Sequence, residues 1–79
     1  MDNKLSSLST IPIGEEVTID NIDLGEEMKK KLVVMGLYPG QRIKLLKNEH
    51  GRSLLIMVYN MRVILDRESG DHIWIKEKE

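Results

Sequence analysis

The residues able to do chemistry are few and scattered. Ser6, Ser7, Ser9, Ser53 and Ser69 with His50 or His72 supply hydroxyl nucleophiles and a base, but no Gly-x-Ser-x-Gly elbow holds a serine for attack. Gly14, Gly25, Gly36, Gly40, Gly51 and Gly70 do not form the G-x-x-x-x-G-K-[ST] loop that cradles phosphates. Cysteine is absent, which removes disulfides, thiolate zinc sites and cysteine nucleophiles together. Glu68, Asp71 and His72, or His50 with Glu49, could offer a divalent cation one or two ligands each, fewer than a closed site needs, so weak binding is the most they suggest. These residues do not add up to an enzyme.

Binding is better represented than catalysis. Lys29, Lys30 and Lys31 form a run of positive charge, and Leu55, Met57 and Tyr59 share one side of an apolar stretch that Trp74 could extend across a sheet. That stripe either lies under a helix or meets a partner. In a chain of 79 residues, apolar side chains must go mostly into the core, which leaves little room for a pocket.

The elements that must position these residues follow from periodicity. Val17 and Ile19 alternate with polar neighbours in a strand from about Glu16 to Asn21. Leu24, Met28, Leu32 and Met35 recur at helical spacing, and Asp23 with Glu26 has the spacing of a capping box. Gly36 stands where a left-handed residue ends a helix, with Leu37 placed to touch Leu32, and Tyr38-Pro39-Gly40 fits a type II turn. From Ile43 the period is two: Ile43 and Leu45, a loop over residues 47–52, then Leu54, Ile56 and Val58, a tight turn at Asn60-Met61, and Val63 with Leu65. Asp66 to His72 is a polar connection with room for one helical turn, and Ile73-Trp74-Ile75 is a last strand. The expected fold is mainly β, a small five-stranded barrel closed around one core with one α-helix inserted between strands 1 and 2. Residues 1–7 are expected to be a flexible tail and 8–79 one domain.

The net charge of −1 hides an uneven distribution: −6 through Glu27, +7 from Met28 to Arg62, and −2 thereafter. Near-neutrality argues against general nucleic-acid binding, whereas the basic middle suits an acidic partner. The longest apolar run, Leu54 to Tyr59, is far too short to span a bilayer, and the start lacks a signal-peptide pattern, so a cytoplasmic location is expected.

Lys31-Leu32-Val33-Val34-Met35-Gly36-Leu37-Tyr38-Pro39-Gly40 resembles the K/R-L-x-x-M-G-L-x-P-G segment of the FeoA family, ferrous iron transport protein A. Leu8 to Glu15 resembles the family's opening, Ile56-Met57-Val58 with Val63-Ile64-Leu65 its strand pair, and Ile73 to Ile75 its closing strand. Asn60 replaces a usual glycine, Asp66 a common arginine and Gly70 a small alanine, which weakens the case for a short helix there. The resemblance implies an SH3-like barrel without catalytic activity that works in the cytoplasm with a polytopic membrane protein carrying a G-protein domain and moving Fe²⁺. On that reading Lys30, Lys31, Leu37, Tyr38, Pro39, Gly40, Met57 and Tyr59 are the expected partner-binding residues, no cofactor is required, and homo-oligomers are compatible. The alternative expectation is a metal-responsive regulator sensing Fe²⁺ or another divalent transition metal through Glu68, Asp71 and His72.

Overall fold

The computed structural model describes residues 5–49 and 52–76. In chain order it contains β1 (Leu5–Ser7), a 3-10 turn (Leu8–Thr10), β2 (Glu16–Ile22), α1 (Glu26–Val34), β3 (Arg42–Asn48), β4 (Ser53–Val58), β5 (Met61–Asp66), α2 (Arg67–Gly70) and β6 (Ile73–Lys76). The strands form one antiparallel sheet in the order β1-β6-β2-β3-β4-β5.

Alternation puts one side of each strand inside. Val17, Ile19, Ile43, Leu45, Leu54, Ile56, Val58, Leu65, Ile73 and Ile75 are buried as their period demands, and Val63 packs half-buried against them. Leu8, Ile11, Ile22, Leu32 and Leu37 complete the core, and each such side chain removed from water contributes about 1.5–3 kcal/mol. Two irregularities keep the faces in phase. Asp20 in β2 and Leu46 in β3 are the residues passed over where the register shifts, so Ile19 and Ile22 both point inward, as β-bulges permit.

The helix uses the expected stripe, with Leu32 buried and Leu24, Met28 and Met35 packed against the core. Its start differs from the capping-box expectation. Gly25 is the N-cap and no side chain caps it; the Asp23 N–H, which a capping box would offer to Glu26, is held instead by the His72 carbonyl at 2.8 Å. Glu26 and Glu27 in the first turn and Lys31 in the last still match the helix dipole.

Four expectations need correction. Leu5 to Ser7, the described part of the expected tail, are a strand, while residues 1–4 lie outside the described residues: with no alternation of their own, Leu5 to Ser7 gain order by pairing with Trp74, Ile75 and Lys76 of β6. Among the described residues there are therefore six strands, and the sheet does not close into a barrel, because its edge strands β1 and β5 do not pair with each other. Leu24, just before α1, and Met28 within it line one cavity with Asp66, Ser69 and His72, while Gly36 beyond the helix exit lies against Val58 and Tyr59. The β4–β5 turn lies one residue earlier than expected, at Tyr59-Asn60, since Val58 pairs with Met61. Finally, α2 does form: Asp66 caps it by accepting from the Ser69 N–H at 3.0 Å and from Ser69 Oγ at 2.9 Å. Gly70 fits where it does because a Cβ there would collide with Leu54 Cδ1.

Candidate partner-binding surface

The chain from Leu32 to Gln41 is built from local hydrogen bonds. Beyond α1 the Gly36 N–H reaches the Val33 carbonyl at 2.9 Å and the Leu37 N–H reaches the Leu32 carbonyl at 2.8 Å. With Gly36 at φ 90°, that is a Schellman ending. The Gln41 N–H then bonds the Tyr38 carbonyl at 3.0 Å across Pro39 and Gly40, and Gly40 at φ 93° meets the type II requirement. Gly40 N–H to Ile19 O at 2.8 Å and Ile19 N–H to Gln41 O at 2.9 Å tie this turn to β2. The result is a surface loop with little freedom left to lose on binding.

Against this loop stands the β4–β5 turn. Tyr59 is the only described non-glycine residue with positive φ, at 56°, a conformation that L residues adopt at a cost of about 1–3 kcal/mol. Its ring lies by Gly36, and its hydroxyl is 2.8 Å from that of Tyr38. Gln41 Nε2 donates to Tyr38 Oη at 3.0 Å, and Gln41 Oε1 accepts the Arg42 N–H at 3.0 Å. The shared bond splits the two phenols. Bonding to Tyr59 is the main cause that raises Tyr38 above its ordinary 10.0, and bonding from Tyr38, then from Gln41, lowers Tyr59 below it.

The expected binding residues separate into three groups. Lys30, Lys31, Tyr38, Pro39, Gly40 and Tyr59 retain exposed surface at the end of α1 and the two turns. Met57 lies on the outer sheet face, half-buried in a row with Lys44 of β3 and Arg62 of β5. Leu37 has no exposed surface and belongs to the core, because the Schellman geometry that brings it back to Leu32 turns its side chain inward. A contact through Leu37 is therefore corrected. Trp74 does not extend the Leu55-Met57 stripe either, since β6 lies three strands from β4. The helix packs on the buried cluster and not on that stripe, which leaves Leu55 and Met57 half-buried beside Ile64 and Arg62. Two contributors were missed: Gln41, whose spacing of three from Tyr38 across a turn was the available signal, and Val34, 85% exposed one turn after Lys30 and Lys31.

The metal candidates are less well arranged. Glu68 and His72 line a cavity of about 330 Å³ with Leu24, Met28, Asp66 and Ser69, and Asp71 is not among its lining residues. Asp66 is occupied by its bonds to Ser69. Among the described residues no three His, Asp or Glu side chains form a group that could hold a metal ion. His50 lies outside the described residues, and Glu49 pairs with Lys47 at 3.5 Å. The buried serines have structural partners: Ser9 Oγ donates to the Arg67 carbonyl at 3.4 Å and Ser69 Oγ to Asp66. No described helix is long and apolar enough to cross a membrane.

Comparison with known proteins agrees with this architecture. A crystal structure of an iron uptake regulatory protein (FeoA) superposes with a TM-score of 0.85 at 26% identity, covering 92% of this chain and 97% of that one. The solution structure of iron(II) transport protein A from Clostridium thermocellum gives 0.81 at 25% identity, over 89% of this chain and 44% of that one. A manganese-dependent transcriptional repressor gives 0.85 at 15% identity, over 99% of this chain but 44% of the repressor, a likeness of fold alone. No curated protein sequence matches significantly. The FeoA domain family matches residues 6–77, nearly the whole chain, and this protein belongs to that family.

Proposed function

We propose that this chain is a non-enzymatic accessory protein of ferrous iron transport that docks, in the cytoplasm, on the soluble domain of a membrane G-protein iron transporter. The supporting observation is the preorganised surface at the end of α1, where the Tyr38-Pro39-Gly40 turn is bonded to β2 and its tyrosine to Tyr59. Membership of the FeoA domain family, and the iron(II) transport protein A among the similar structures, supply the process. The mechanism is recognition: a rigid turn carries the contact, and Lys30 and Lys31 add orientation and on-rate toward an acidic partner.

Binding of the full chain to the transporter's isolated cytoplasmic domain tests this reading. Lys30→Glu with Lys31→Glu should weaken the complex and flatten its salt dependence, and Val34→Ser should weaken it at every salt concentration. Equal binding by all three proteins would remove this surface from the interface. Metal sensing through Glu68, Asp71 and His72 has no comparable geometry in its favour, and anaerobic calorimetry with Fe²⁺ should find no saturable site there.

A further inference from the structure

The hydrogen bonds at this surface link four groups in a row. A backbone N–H can only donate, and that of Arg42 donates to Gln41 Oε1, which orients the amide with Nε2 toward Tyr38. Having accepted from Gln41, the Tyr38 hydroxyl is polarised to donate onward, and its neighbour at 2.8 Å is Tyr59 Oη. With Tyr38 donating in this way, Tyr59, a residue 63% exposed, is the end of the chain and its own proton is left for the outside. We infer that the Tyr59 hydroxyl captures a carboxylate of the docked partner, an acidic segment laid across the end of α1 and the β4–β5 turn.

The surroundings specify that occupant by charge. Between Met28 and Asn48 the chain carries six bases and no acid. Lys30 and Lys31 lie one helical turn before Val34, and among the described residues neither has an ion-pair partner. Arg42, next to Gln41, has only the exposed Glu16 at 3.8 Å, a contact that contributes little. Exposed apolar side chains occur on both elements: Val34 in α1 is 85% exposed and Met61, opposite Val58 in the register, is 52% exposed. An exposed aromatic hydroxyl beside the end of a helix that carries unpaired lysines and an exposed valine has features of an interface hot spot for an acid.

The inference rests on the docking reading, and one set of measurements separates the two. Dissociation constants are measured between the transporter's cytoplasmic domain and the full chain as wild type, Tyr59→Phe, Tyr38→Phe, Gln41→Leu and Ile13→Ser, each first shown by circular dichroism and urea titration to be folded. Tyr59→Phe should weaken binding on the order of ten- to a hundredfold, the usual value of a hydrogen bond to a charged group. Tyr38→Phe and Gln41→Leu, which leave the contact but depolarise it, should cost less, and Ile13→Ser, at a 59% exposed position in the loop before β2, should cost nothing. One Asp or Glu of the partner should couple to Tyr59 in a double-mutant cycle. Unchanged affinity for Tyr59→Phe, or no coupling carboxylate, would overturn the contact and leave docking standing. Failure of the wild type to bind would overturn the docking reading and the contact together.

Discussion

The hydroxyls of Tyr38 and Tyr59 lie 2.8 Å apart although 21 positions separate them in the chain. Their bond joins the loop that leaves α1 to the turn between β4 and β5, and it sets the order in which they ionise. These are the only two tyrosines, so the tyrosinate absorbance of the folded protein reports on them alone. Two steps are expected, Tyr59 below the ordinary 10.0 and Tyr38 above it. Tyr38→Phe removes the donor that stabilises the Tyr59 phenolate, so the remaining step should move up. A single transition for both residues in the wild type would contradict the directional chain.

Leu37 provides a test of core against surface. Its side chain is fully buried against a closed core, so Leu37→Ala should destabilise the fold by about 2–5 kcal/mol, read as a lower urea midpoint. Val34→Ser, at an 85% exposed position, should leave that midpoint within about 0.5 kcal/mol. A variant of Leu37 that keeps wild-type stability would show the side chain to be outside the core.

Gly36 and Gly40 separate conformation from packing. Both have φ near +90°, so alanine at either meets the left-handed penalty of about 1–2 kcal/mol. At Gly40 nothing lies within 4 Å of the added Cβ, whereas at Gly36 it would come within 2.8 Å of Val58 Cγ1. Gly36→Ala should therefore be the more destabilising of the two in denaturant titration; equal losses would mean that Val58 yields freely.

Asp66 should shape stability on the acid side. Burial raises its carboxyl, but hydrogen bonds from the Ser69 hydroxyl and N–H outweigh that and leave it below the ordinary 3.8. Because the folded value lies below the unfolded one, its contribution is complete above about pH 4, the unfolded carboxylate range, and fades as pH falls through the folded value. Asp66→Ala should cost about 0.5–2 kcal/mol at neutral pH, with the gap from wild type shrinking toward pH 3. A gap independent of pH would show that the cap does not act through its charge.

Short-range signals in the sequence determined much of this protein. The alternation of Ile43 and Leu45, or of Leu54, Ile56 and Val58, places side chains on one face whatever the strand pairs with, and all five are buried. The Leu32 to Gln41 segment was legible for the same reason: its Schellman and type II bonds span at most five residues and depend on Gly36 and Gly40 accepting positive φ. Tertiary structure decided what needs a distant partner. Leu5 to Ser7 become a strand only because β6 offers an edge, and whether the sheet closes depends on a pairing between β1 and β5, at opposite ends of the strand order, that is not made. Leu37 could be read as a core contact of Leu32 or as an exposed anchor, and only packing settled that it is buried. The spacing of Tyr38 and Gln41 hinted at their bond, but the meeting of Tyr38 with Tyr59 left no trace in local spacing, since it depends on where the β4–β5 turn falls against the end of α1.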